Sequence, residues 1–200
     1  MKTSAIGRVV LTAREGCRLA AYLDSVGVPT IGVGHTGRAS PPAIKLGMTI
    51  TQAEADAYLQ ADLAPFEAAV DGAVKAALAD HQFDALVSFA FNVGAPGFAG
   101  STTVRKLNAG DAGGAADAML LWQKPASLGS RRQAERKQFL TPYSVALPAA
   151  RIGEPSIPAP PSTSSPDVAL PPLKHIDNLP SRPQPGFWAR FWASLTGKAD

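Results

Sequence analysis

Glu15, Asp24 and Thr30 stand at the spacing E-x8-D-x5-T, placing two carboxyls and a hydroxyl within one short stretch. Cleavage of a glycosidic bond needs this kind of pair. One carboxyl protonates the leaving oxygen, and the other directs a water or stabilises the developing oxocarbenium ion. Carboxyl pairs alone carry little weight, because most are solvated surface groups. The elements that must hold these three residues therefore decide the reading.

Ile6, Val9, Val10 and Ala13 recur at helical spacing, which predicts a short amphipathic helix over residues 4–14 that stops at Gly16. Glu15 then falls at the carbonyl end of the helix, where the dipole favours a protonated carboxyl. From Leu19 to about Thr36 the pattern becomes short β-prone runs broken by Ser25, Gly27, Gly32 and Gly34. It predicts a small twisted antiparallel sheet with Asp24 near the turn and Thr30 on the returning strand. The two later glycines suit a bulge or a close backbone approach.

The full string is Glu15-Gly-Cys-Arg-Leu-Ala-Ala-Tyr22-Leu-Asp24, then Ser-Val-Gly27-Val-Pro29-Thr30-Ile-Gly32-Val-Gly34-His35. It resembles the active-site segment of the phage-type lysozymes (glycoside hydrolase family 24), which reads EG-x-R-L-x-A-Y-x-D-x-x-G-x-x-T-I-G-x-G-H. Further family-like stretches run from Gln82 to Gly94, from Ser101 to Asp111 and from Arg131 to Glu135, so the resemblance covers about residues 4–143. It implies an α+β, mostly helical, two-lobe lysozyme-like fold. A small antiparallel sheet would lie in the N-terminal lobe, and a long helix would join it to a helical C-terminal lobe. The implied roles are Glu15 as acid and Asp24 and Thr30 as holders of the attacking water, with inversion provisional. Phe91 and Asn92 would contact substrate. His35 would be structural, paired with Asp62.

Elsewhere, residues 38–48 read as loop. Thr51 and Glu54 form a capping box that opens a helix carrying Ala55, Tyr58, Leu59, Leu63, Phe66, Val70 and Val74 on one face. Pro65 inside that run is expected to kink or break it. Asp80 is expected to cap the next helix, and residues 112–122 to form another. Arg131, Arg132 and Arg136 are expected to pair locally with carboxylates on a solvated helix face.

Residues 1–145 read as the catalytic domain. Residues 148–185 hold eleven of the eighteen prolines, so residues 146–186 read as an extended linker. Phe187, Trp188, Phe191 and Trp192 lie on one stripe of the remaining segment, residues 187–200, beside Arg190 and Lys198. Such a stripe fits contact with a membrane surface or docking onto protein. The net charge of +3 is too small to indicate nucleic-acid binding, and the single cysteine, Cys17, excludes an internal disulfide. No His or Cys stands at metal-ligand spacing, and neither metal nor organic cofactor is expected. No apolar run suggests a signal peptide or a membrane span. The expectation is a monomeric endolysin that hydrolyses the β-1,4 bond between N-acetylmuramic acid and N-acetylglucosamine of peptidoglycan. It would remain in the host cytoplasm until a holin releases it to the periplasm. The alternatives are a lytic transglycosylase, a non-catalytic wall-binding module and a membrane-active protein.

Overall fold

The computed structural model describes residues 1–38 and 40–160. The order of elements is α1 (Ala5–Glu15), β1 (Arg18–Leu23), β2 (Pro29–Gly32), α2 (Gln52–Ala73), α3 (Asp80–Val93), α4 (Ala95–Ala99), α5 (Thr102–Asn108), α6 (Ala112–Met119), a 3-10 turn (Ala126–Leu128) and α7 (Gly129–Leu140). Among the described residues the chain forms two units, residues 15–62 and residues 1–14 with 63–160.

The first unit is built on a hairpin. β1 and β2 pair antiparallel, with Tyr22 opposite Thr30 and Leu23 opposite Pro29, and a bulge separates Arg18 from Tyr22. The other edge of β1 bonds to the chain before α2: the Ala21 N–H donates to the Met48 carbonyl and the Ile50 N–H to the Leu19 carbonyl, both at 2.8 Å. Ile31, Ile44, Met48, Ile50, Ala55 and Tyr58 form the core beneath the hairpin. Removing these side chains from water is the main force holding so small a sheet. Gly32 and Gly34 have φ of +61° and +85°, so the demand on them is for left-handed backbone more than for close approach.

Thr51 opens α2 as expected. Its N–H donates to the Glu54 carboxylate at 2.7 Å, and the Glu54 N–H donates to its hydroxyl at 3.2 Å. Of the two outcomes expected at Pro65, a break does not occur: α2 runs continuously through it. Pro65 is exposed, so the carbonyl that loses its donor lies on the side where water can replace it.

The second unit packs α3 as a helix buried along nearly its whole length, from Phe83 to Asn92. Phe89 meets Phe98 and Trp122 edge-on at 6.1 and 5.9 Å. Three local expectations change here. Ala79, not Asp80, is the N-cap of α3, and Gln82 accepts from the Ala79 N–H at 3.1 Å. Helix α6 ends at Met119, because a turn follows in which Trp122 N–H bonds the Met119 carbonyl. The buried face of α1 is Gly7, Val10, Leu11 and Arg14, one step round from the predicted stripe. Gly7 is required there because a Cβ would collide with the carboxyl of Asp84, which accepts from the Ser4 N–H at 2.9 Å and from the Ser4 hydroxyl at 2.5 Å.

The start of the expected linker is also packed. Ala149 bridges Ser156, the Ile157 N–H donates to the Pro148 carbonyl at 2.8 Å, and Ala150 and Ile157 are buried.

Candidate active site

Glu15 is the last residue of α1 and is half-buried. Gly16 follows with φ +81°, the left-handed conformation that ends helices and that an L side chain resists. The residue before Glu15 is firmly held. Arg14 is buried, and its guanidinium donates to the Ser88 hydroxyl at 2.9 Å and to the carbonyls of Ala150 and Ala149 at 3.2 and 3.4 Å.

Asp24 lies just past β1, in the turn. Its Oδ1 accepts from the N–H groups of Val26 at 3.0 Å and Val28 at 2.8 Å, while its own N–H donates to the Val28 carbonyl at 3.0 Å. This self-bonded turn is why an Asp suits the position locally. Thr30 sits in β2, only 2% exposed, and its hydroxyl donates to the same Val28 carbonyl at 3.0 Å. One peptide residue, Val28, therefore ties both side chains. Tyr22 lies opposite Thr30 across the sheet, on the same face of the pleat, and Asp24 follows just past the end of β1. Glu15, Asp24 and Thr30 all belong to the unit of residues 15–62.

Arg18 and Tyr22 also belong to this face, although the residue types alone had given them no role. The Arg18 guanidinium lies over the Tyr22 ring, 4.6 Å from its centre. Burial pushes the Tyr22 hydroxyl up from its ordinary value, and the Arg18 charge opposes that shift. The signal that could have found Tyr22 is its i, i+2 spacing to Asp24 on a predicted strand.

His35 Nδ1 lies 2.8 Å from Asp62 Oδ2, and its Nε2 lies 3.1 Å from the Pro42 carbonyl. The other Asp62 oxygen accepts from the Ser40 hydroxyl at 2.7 Å. His35 is buried against Tyr58, with ring centres 4.7 Å apart. This arrangement fastens the loop after β2 to α2.

Phe91 and Asn92 sit in the other unit and are buried, 6% and 3% exposed. Phe91 packs edge-on against Phe66 at 5.1 Å, and the Asn92 carbonyl oxygen accepts from Arg132. Among the described residues the Asn92 amide nitrogen is buried without a hydrogen-bond partner.

The arginines of α7 depart most from expectation. Arg131 and Arg132 do pair with a carboxylate, Glu135, but all three are buried. Ser88 also donates to Glu135, at 2.7 Å. Burial alone would push the Glu135 carboxyl up. The charges of Arg132, Arg131 and Arg14, with the Ser88 bond, outweigh it and hold the group at about 2. The Arg132 guanidinium lies 5.0 Å from the centre of the Phe89 ring. Arg136 is the one of the three with an exposed partner, and that partner, Asp117 at 2.6 Å, belongs to α6 rather than to its own helix.

Among the described residues no group of three or more His, Cys, Asp or Glu could hold a metal ion, and no helix is long and apolar enough to cross a membrane. The aromatic stripe of residues 187–192 lies outside the described residues.

The arrangement can therefore present a carboxyl from a helix end, and a carboxylate with a hydroxyl from a rigid hairpin. Comparison with known proteins identifies the family. Residues 12–135 match the family model described as phage lysozyme. The endolysin of Salmonella phage P22 is 46% identical over 145 residues, covering 70% of this chain and 99% of that protein. A solved P22 lysozyme structure superposes with a TM-score of 0.67 at 44% identity, over 70% of this chain and 99% of the other. The muramidase domain of SpmX from Asticaccaulis excentricus gives 0.60 at 36% identity, over 70% and 99%. The α+β, mostly helical fold is thus the lysozyme fold, the substrate is peptidoglycan, and the chain belongs to the phage lysozyme family of glycoside hydrolases.

Proposed function

We propose that this endolysin-type muramidase cleaves the β-1,4 bond between N-acetylmuramic acid and N-acetylglucosamine with Glu15 as proton donor and with Asp24 and Thr30 holding the attacking water. The carrying observation is the double use of Val28. Thr30 spends its proton on the Val28 carbonyl, so its oxygen meets a water as an acceptor. Asp24 commits Oδ1 to two backbone N–H groups, leaving Oδ2 to accept as well. A water that donates one hydrogen to each aims its lone pair at the anomeric carbon. Glu15 protonates the leaving oxygen, Asp24 takes the proton from the water, and the product forms with inversion.

The testing experiment is clearing of purified peptidoglycan, with analysis of the released ends, for wild type and Glu15→Gln. New reducing ends are expected, with a fall of about 10²–10⁴-fold in the variant. Anhydro ends, or full activity in the variant, would overturn the assignment.

All three residues lie within residues 15–30 of one chain, which supports a monomeric catalyst. Its kinship to endolysins supports holin-dependent passage from the cytoplasm to the wall, in the service of host lysis. Co-expression with and without a holin checks this: lysis is expected only with one.

A further inference from the structure

The segment around residues 148–157 lies beyond the matched family model, which ends at residue 135, yet it grips the residue that precedes Glu15. The grip has two parts. The carbonyls of Ala149 and Ala150 accept from the buried Arg14 guanidinium, at 3.4 and 3.2 Å. In return, the Arg151 guanidinium donates to the Arg14 main-chain carbonyl at 3.1 Å. That carbonyl is one of the last in α1, where no helical donor remains and where a cation is favoured by the helix dipole. Ile157 is the buried anchor of the segment. The Ile152 N–H pins it to α7 through the Ser130 carbonyl at 3.3 Å.

We propose that this segment is a strap that fixes the end of α1 and that Arg151 is a positioning residue for the acid. The proposal rests on Glu15 being that acid. Arg151 does not touch substrate; it sets the backbone from which Glu15 departs. A misplaced acid lowers the rate of the chemical step without weakening saccharide binding, so the strap should act on kcat and leave KM alone.

The test uses full-length protein and soluble peptidoglycan fragments of defined length, comparing Arg151→Ala, Arg151→Lys, Ile157→Asn and the Arg151→Ala/Ile157→Asn double variant. Thermal unfolding is measured on each. Arg151→Ala should lower kcat about tenfold, with KM within about twofold and melting temperature nearly unchanged. Arg151→Lys, which keeps a cation at the helix end, should recover part of the loss. Ile157→Asn should reproduce the kcat effect, and the double variant should be no worse than the stronger single, since both break one strap. Glu154→Gln serves as control: it keeps the Glu154 N–H bond to the Arg151 carbonyl at 3.2 Å and removes only the exposed ion pair at 3.6 Å, so kcat should stay within about twofold. Unchanged kcat in Arg151→Ala, a loss carried by KM, or additive losses in the double variant would each overturn the strap. Glu15→Gln run alongside separates this from failure of the acid assignment, which would appear as retained activity in that variant alone.

Discussion

The two units handle charge in opposite ways. In the hairpin unit Asp24 is half-exposed and held by backbone N–H groups, with no cation bonded to it among the described residues. In the helical unit Glu135 is fully buried and surrounded by Arg132, Arg131 and Arg14. Hydrogen bonds from the backbone fix a carboxylate while leaving one oxygen for a reaction. Guanidinium groups fix it by consuming it. On the proposed assignment of Asp24, the first arrangement suits chemistry and the second structure.

The sharpest way to break this contrast is Glu135→Ala. It leaves buried guanidinium groups uncompensated and should cost about 3–5 kcal/mol of stability, read by denaturant unfolding. The same cluster should govern acid unfolding. The Glu135 pKa is depressed in the folded state, so its contribution is present above the unfolded value near 4.5 and lost as pH falls toward about 2. A Glu135→Gln variant, if it folds, should show a shallower loss of stability over that interval.

Asp24→Asn tests the other side. The amide oxygen can still accept from Val26 and Val28, so stability should change by less than about 1 kcal/mol, while peptidoglycan hydrolysis falls by roughly 10²-fold or more. A large loss of stability would show that the turn, too, depends on charge. Thr30→Val removes the bond to the Val28 carbonyl and should cost about 1 kcal/mol, with a smaller drop in rate than Asp24→Asn. Thr51→Ala, in the capping box and outside both arrangements, should cost about 0.5–2 kcal/mol by thermal unfolding and leave kcat unchanged.

The hairpin and its residues were legible because their signals are local. Glycines mark the turns, alternation marks the strands, and Asp24 bonds to residues two and four positions away. The same locality made the Thr51 capping box readable. The charge cluster was not legible, because Arg131 and Arg132 on a polar helix look solvated until α3 supplies Ser88 and Asn92, some forty residues distant. That α2 continues through Pro65 was not legible, because composition does not say which side of a helix meets water. Proline content also hid the packed turn around residues 148–157. What decides its placement is the need of buried Arg14 for carbonyl acceptors, which no window of sequence around Pro148 reveals.

The span of that last contact has a consequence for biosynthesis. Arg14 and the Ala150 carbonyl are 136 residues apart in the chain. On a ribosome adding about 5–20 residues per second, Arg14 is made roughly 7–27 s before its acceptor exists. Until translation passes that point, the helix ending at Glu15 is without its clamp. If Glu15 is the acid, as proposed, its register is set only after the segment around residue 150 has been made.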